Sequence, residues 1–226
     1  MAIQRGSRSA SAFRGAHAGT RSSFLAAAVR SPREVGTLLP SGPELARRLA
    51  AVVPPSGPAG RPVVVVEVGA GSGAVTEVLA EQAAPGAVII AVEKDPELAQ
   101  RLRDRGLGVD AVTADAKTLP AILAERGLRL ADVLVSVLPW TLFGPQQQRE
   151  LLATFVSSLH SDGVFTAAAY SSGYWTPAAR RFRADLGRTF GEVLPTRTMW
   201  RHVPPAMTYV CRRPVQPPRL SADPNR

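Results

Sequence analysis

Between residues 64 and 74 the chain reads Val64-Val-Val-Glu67-Val-Gly69-Ala-Gly71-Ser-Gly73-Ala74, and no other stretch limits its fold so tightly. Four valines around a single acid make a strand with no polar face, the pattern of a strand covered on both sides. Three glycines at alternate positions allow a turn of bare backbone, and Ala74 opens a predicted helix over 74–82. A buried parallel strand needs neighbours of its own kind, and they follow. Residues 63–68, 87–93, 108–113, 132–137 and 163–169 read as strands, with helices predicted over 74–82, 96–105, 118–126 and 145–159. This alternation predicts an α/β sandwich with right-handed crossovers. A further helix over 177–186 and strands at 190–194 and 206–212 bring the expected sheet to seven strands.

The rest of the chain frames that unit. At 226 residues and 45% hydrophobic content, one substantial core fits and two full domains do not. Residues 1–20 are Ser, Gly, Ala and Arg and read as disordered. In 22–29, Phe24, Leu25, Ala28 and Val29 give one apolar helical face between Arg21 and Arg30, able to rest on a bilayer or on the domain. A second helix, 43–53, ends at Pro54-Pro55-Ser-Gly-Pro58. The expected organisation is a disordered basic start over 1–20, a helical covering segment over 21–58, the main domain over 59–213, and a disordered tail over 214–226.

The net charge of +9 sits at the ends: residues 1–33 hold six arginines and no acid, and residues 180–226 hold ten arginines against three acids. Basic ends suit anionic surfaces, phospholipid headgroups or nucleic acid alike. No run approaches the ~20 apolar residues of a membrane-spanning helix. A single cysteine, Cys211, makes no internal disulfide and fits a reducing compartment, so a cytoplasmic location is expected. His17, His160 and His202 are scattered in sequence, and no metal site is expected.

The glycine turn presents a helix N-terminus, which favours a carboxylate or a phosphate. Gly69-x-Gly71-x-x-Ala74 alone also satisfies the looser dinucleotide fingerprint, and Glu93, at the end of the second strand, suits a ribose diol in either case. Glu67 separates the two. A carboxylate two residues before the first glycine repels a pyrophosphate and attracts an ammonium. S-adenosyl-L-methionine carries an ammonium and a sulfonium and no phosphate. Asp115, past the third strand, is a candidate acceptor for the adenine amine. The expected cofactor-binding set is Glu67, Gly69, Ala70, Gly71, Gly73, Glu93, Lys94, Asp115, Ala116 and Ser136. Lys94 also reads as part of the turn before the Asp95 cap. These residues resemble the class I methyltransferase motif over roughly 60–170, which implies a Rossmann-like, mostly parallel seven-stranded sheet with helices on both faces.

In an open α/β sheet, ligands sit at the carboxyl ends of the strands. The fourth strand ends there on Ser136-Val-Leu138-Pro139-Trp140. Amino-directed methyltransferases place Asn/Asp-Pro-Pro-aromatic or Asn-Leu-Pro-aromatic at this point, and this stretch looks like that motif with serine first. An aromatic amine needs two acceptors to localise its lone pair; an aliphatic amine, once deprotonated, does not. Serine therefore favours an aliphatic amine.

Phe24-Leu25, Ser31-Pro-Arg33-x-Val35-Gly36, Pro40-Ser41-x-x-Leu45-Ala46, the glycine motif, Val92-Glu93-x-Asp95-Pro-Glu-Leu98, Ser136-x-Leu138-Pro139, Tyr170 and Val203-Pro-Pro-Ala206 are together similar to the bacterial phospholipid N-methyltransferases, relatives of the ribosomal RNA adenine dimethylases. The resemblance runs over about 22–213 and implies stepwise methylation of phosphatidylethanolamine at a membrane surface, with no obligatory nucleic acid. The chain departs from the family at Val137, usually glycine, and at Ser171-Ser172, usually Gly-Pro. On this reading Ser136, Leu138 and Pro139 position the amine and Tyr170 is the candidate base. Trp140, Tyr170, Tyr174 and Arg201 are the candidate substrate contacts, the aromatics, with Trp175 as a further candidate, through cation–π attraction to a methylated ammonium. His202 is a further candidate for a phosphate. A soluble amine or RNA adenine as acceptor, and a non-catalytic binding module, remain the competing readings.

Overall fold

The structure, a computed structural model, describes residues 42–57 and 60–215. The helix expected over 22–29 and the two ends expected to be disordered lie outside these residues, apart from 214 and 215. The first described helix, α1 (Pro43–Ala50), is shorter than the expected 43–53, stopping where Ala51 and Val52 form a turn ahead of the prolines.

Strands and helices then alternate as β1 (Val64–Val68), α2 (Ala74–Gln82), β2 (Val88–Glu93), α3 (Pro96–Asp104), β3 (Asp110–Thr113), α4 (Leu119–Glu125), β4 (Ala131–Ser136), α5 (Pro145–Ser157), β5 (Leu159–Tyr170), α6 (Pro177–Thr189), β6 (Phe190–Pro195) and β7 (Ala206–Pro214). The seven strands form one sheet in the order β3-β2-β1-β4-β5-β7-β6. The first five pair in parallel, while β7 runs antiparallel to both β5 and β6.

The strand period of two explains the layers. Val64, Val66 and Val68 pack with Leu119, Ile122, Leu151, Phe155 and Phe182, from α4, α5 and α6. Val63 and Val65 face the other way, onto Leu45 and Leu49 of α1 and Val75 and Leu79 of α2. The central strand is thus buried on both faces, as its valine run required. β5 is longer than expected: it begins at Leu159, where Ala131 pairs with it before a register shift near Val133. That first residue falls at the end of the helix predicted over 145–159.

The order of strands sets the crevice. From β1 the chain winds outward to β2 and β3, then returns across β1 to β4. The switch point lies between the carboxyl ends of β1 and β4, where Val68 pairs with Ser136. The glycine turn leaves one of these strands and the Ser136-to-Trp140 turn leaves the other.

Candidate functional site

The first wall of the crevice is the glycine turn. Gly69 N–H donates to Val92 O at 2.9 Å, anchoring the turn to β2. Gly69 has φ 76°, and a Cβ there would lie 2.9 Å from Leu138 Cδ2 of the opposite wall, so only glycine allows the two walls to meet. At Gly73, φ is 83° and a Cβ would strike Leu102 Cδ2 at 2.5 Å. Ala70 is buried and partly buried Ala116 opens the short helical turn 116–118 after β3.

Glu67 is fully buried beneath this turn. Its Oε2 accepts from Thr76 Oγ1 at 2.6 Å, and its Oε1 has no partner among the described residues. Burial drives its pKa up to about 8; the Thr76 hydroxyl opposes the rise and the charge of Glu93 adds to it. A buried carboxyl oxygen without a donor is costly unless a ligand supplies one. Glu93 closes the end of β2: Oε2 accepts from Gly71 N–H at 2.8 Å and Oε1 from Asp95 N–H at 2.9 Å. The amide a phosphate would use is therefore already given to a carboxylate. Arg105, the cation against Ser72, is itself paired with Glu77 at 2.7 Å. The turn, the unpartnered Oε1 and Glu93 fit a phosphate-free ligand bearing an ammonium and a diol.

Asp115, partly buried at the end of β3, accepts from Lys94 Nζ at 2.8 Å and from Lys117 N–H at 3.0 Å. Burial alone would raise its pKa, but these hydrogen bonds and the Lys94 and Lys117 charges outweigh it, and the net direction is down. It stays an ionised acceptor. Lys94 thus steers Asp115 and bridges two strand ends.

The opposite wall corrects part of the sequence reading. Ser136 is fully buried, and its Oγ accepts from Trp140 Nε1 at 3.0 Å. The hydroxyl expected to hold an amine instead pins an indole. Leu138 O accepts from Trp140 N–H at 2.9 Å across Pro139, whose φ of −78° and ψ of 71° make an inverse γ-turn. Trp140 is also not open to a substrate: its ring stacks on Phe182 at 4.4 Å and meets Phe143, Phe155 and Phe165 edge-on.

One residue of this wall escaped the sequence reading. Gln148 is fully buried, and its Nε2 donates to Trp140 O at 2.6 Å. The signal was its place with Leu151, Leu152 and Phe155 on the buried face of α5.

Tyr170, at the carboxyl end of β5, has its phenol pushed above the ordinary value of 10 by burial. It stays protonated at neutral pH and is a donor, which removes it as the base. His202 is also committed: Nε2 accepts from Gly42 N–H at 3.1 Å, and Nδ1 lies 2.7 Å from Pro204 O, so the network assigns the proton to Nδ1. The phosphate role proposed for it finds no free nitrogen. The Tyr174 ring carries the Arg183 guanidinium 4.0 Å from its centroid, so one face already holds the chain's own cation. Arg201 is exposed and forms no ion pair with a described residue.

The TrkA-N domain family matches residues 64–174, just under half of the chain. The chain is similar to the ornithine lipid N-methyltransferase of Singulisphaera acidiphila, 32% identical over 192 residues that span 84% of this chain and 94% of the relative. Its fold is shared with a TehB-like SAM-dependent methyltransferase from Corynebacterium glutamicum, with TM-score 0.52 and 15% identity over 85% of this chain and 98% of the other. It is also shared with the N-methyltransferase NodS of Bradyrhizobium japonicum, with TM-score 0.56 and 16% identity over 76% and 94%.

Proposed function

The chain belongs to the family of the ornithine lipid N-methyltransferase, and on that premise we propose that it transfers methyl groups from S-adenosyl-L-methionine to a primary aliphatic amine carried by a membrane lipid. The phosphatidylethanolamine headgroup and the amine of an ornithine lipid share that chemistry. When bound, S-adenosyl-L-methionine supplies a methyl group activated by a positively charged sulfonium.

The residues of the first wall divide the work of holding it. Glu67 Oε1, buried and without a donor, is assigned to the ammonium. The open turn at Gly69, Gly71 and Gly73 admits the methionine end, Glu93 the ribose diol, and Asp115 the adenine amine. The second wall orients the acceptor. Ser136, Trp140 and Gln148 fix the Leu138–Pro139 turn from behind, and that turn abuts Gly69. Rate then comes from proximity, orientation and removal of water around a neutral amine.

One observation carries the amine class. Ser136 Oγ accepts from the indole at 3.0 Å and lies 3.5 Å from the Leu138 N–H, while Leu138 O accepts from the Trp140 amide and keeps one lone pair. One acceptor position at the end of β4 falls short of the two that localise the lone pair of an aromatic base amine, whereas an aliphatic amine needs none. With the Tyr170 phenol held protonated by burial, no base is assigned among the described residues; on this reading the amine enters already neutral, and kcat/KM rises with pH toward the amine's own value, about 10.4 for a lysine-like group. No helix among the described residues is long and apolar enough to cross a membrane. The lipid-amine reading itself puts the enzyme at the cytoplasmic surface of the bilayer.

The test is transfer of radiolabelled methyl to phosphatidylethanolamine vesicles, ornithine-lipid vesicles, soluble amines and structured RNA in parallel. Label in either lipid, with RNA blank, is expected. Label confined to RNA or to soluble amines refutes the lipid assignment.

A further inference from the structure

Beyond the crevice, three loops at the carboxyl end of the sheet carry large apolar side chains in water. Trp175, just after β5, is 79% exposed, while Trp200 and Val203, between β6 and β7, are each 76% exposed. Leu142, just after β4, is exposed as well. These loops share one end of the sheet, because Tyr170 at the end of β5 pairs with Ala206 at the start of β7, and Ser136 at the end of β4 lies beside Ala167 of β5. They are also fastened together. Ser171 donates to Pro205 O through N–H at 2.8 Å and through Oγ at 2.9 Å, and a Cβ at Gly173 would lie 3.4 Å from Thr141 Cγ2.

Their charge is one-sided. Residues 137–149, 163–184 and 193–215 contain no Asp or Glu. Arg180, Arg197 and Arg201 are exposed there and form no ion pair with a described residue. Tyr174 shows the contrast: its ring is covered by Arg183, whereas Trp175 beside it is left in water.

We propose that these three loops, tipped by Leu142, Trp175, Trp200 and Val203 and flanked by Arg180, Arg197 and Arg201, are the surface by which the enzyme docks on an anionic lipid bilayer. The inference rests on the lipid-amine reading of the crevice and adds the orientation in which the enzyme meets its substrate. Amphipathic aromatics with aliphatic neighbours enter the headgroup boundary, and unpaired arginines meet lipid phosphates. Leu142 and Val203 have no hydrogen bond to offer a nucleic acid, which favours a bilayer over RNA. Docked this way, the carboxyl end of β4 faces the headgroups, and a lipid amine reaches the crevice without leaving the membrane.

The test uses the whole chain and vesicles of phosphatidylcholine with about 30% phosphatidylglycerol. Of the three tryptophans, Trp140 is already buried, so any blue shift of emission on vesicle addition comes from Trp175 and Trp200. A blue shift with quenching by brominated lipid is expected. Trp200→Ser/Val203→Ser should weaken vesicle binding about tenfold or more, and slow transfer to vesicle-borne amine lipid while sparing transfer to a monomeric, water-soluble analogue of the same headgroup. Binding to vesicles or to an RNA hairpin with no change in tryptophan emission overturns the proposal, as does a folded double variant that binds and turns over on vesicles like wild type. Vesicle docking with the blue shift but no methyl transfer to any lipid would leave this surface standing and remove the lipid-amine reading instead.

Discussion

Replacing Glu67 by glutamine isolates the step at which the cofactor is recognised. Glu67 has no exposure to solvent, one hydroxyl partner and a pKa raised from 4.5 to about 8. In the unliganded protein near neutral pH it is therefore mostly a neutral acid. An ammonium at Oε1 requires the carboxylate, so binding below pH 8 must expel a proton. At pH 6, two units below that value, about 1% of the protein is ready to bind, and apparent affinity falls about 100-fold from its limit. Above pH 8 a ligand α-amine, with a pKa near 7.7–8.0, loses its own charge, so affinity should peak around pH 8. Calorimetry at pH 6.5 in two buffers of different ionisation enthalpy should count close to one proton released per cofactor bound, and none in Glu67→Gln. Stability responds to the same group. A carboxyl whose folded pKa lies above its unfolded one costs nothing below pH 4.5 and progressively more as pH rises to 8, with an upper bound of ~5 kcal/mol at about 1.4 kcal/mol per pH unit. Unliganded Glu67→Gln should therefore melt above wild type at pH 8 and not at pH 4.5. Equal proton release in the two proteins, or equal pH dependence of melting, refutes the assignment of Glu67.

The other substitutions probe separate contacts. Ser136→Ala leaves the Trp140 N–H buried without an acceptor, so it should cost about 1–3 kcal/mol in denaturant unfolding and lower kcat while cofactor affinity stays near wild type. Glu93→Ala frees the Gly71 and Asp95 amides together, and cofactor binding should fall below calorimetric detection in a chain that still unfolds cooperatively. Tyr170→Phe removes a phenol that burial keeps protonated, and the pH dependence of kcat/KM should keep its shape; a lost limb would restore Tyr170 as the base.

The layered fold was legible because it is written in periods. The valines of β1 and the apolar face of α5 announce their burial directly, and the glycine spacing announces the turn between β1 and α2. What the sequence concealed were contacts made across the fold. Ser136 and Trp140 lie four residues apart, and their side chains meet only because the inverse γ-turn at Pro139 folds the chain back on itself. Gln148 sits in the polar run Pro145-Gln-Gln-Gln, yet the period of α5 turns it inward to Trp140 O. The engagement of His202 with Gly42 spans 160 residues, beyond any local pattern. Helix and strand ends were displaced for a similar reason, since Leu159 joins the sheet through pairing with Ala131 rather than through its own neighbours.

The serine at the end of β4 then has a different meaning from the one its motif suggests. To accept from a substrate as well, its hydroxyl would have to give up either the indole or the Leu138 N–H 3.5 Å away, and giving up the indole would leave Trp140 a buried, unpaired donor in a cluster of four phenylalanines. Holding the indole instead lets Ser136 act at a distance. It fixes Trp140, whose amide fixes the carbonyl of Leu138, and the Leu138 side chain closes against Gly69 with no room for a methyl group. On the proposed reading, the wall that receives the amine is thereby set directly against the turn that receives the cofactor. With a single acceptor position left at the end of β4, selectivity for an aliphatic amine would then come from this fixed separation of the two walls and from the surface proposed to present the amine to them.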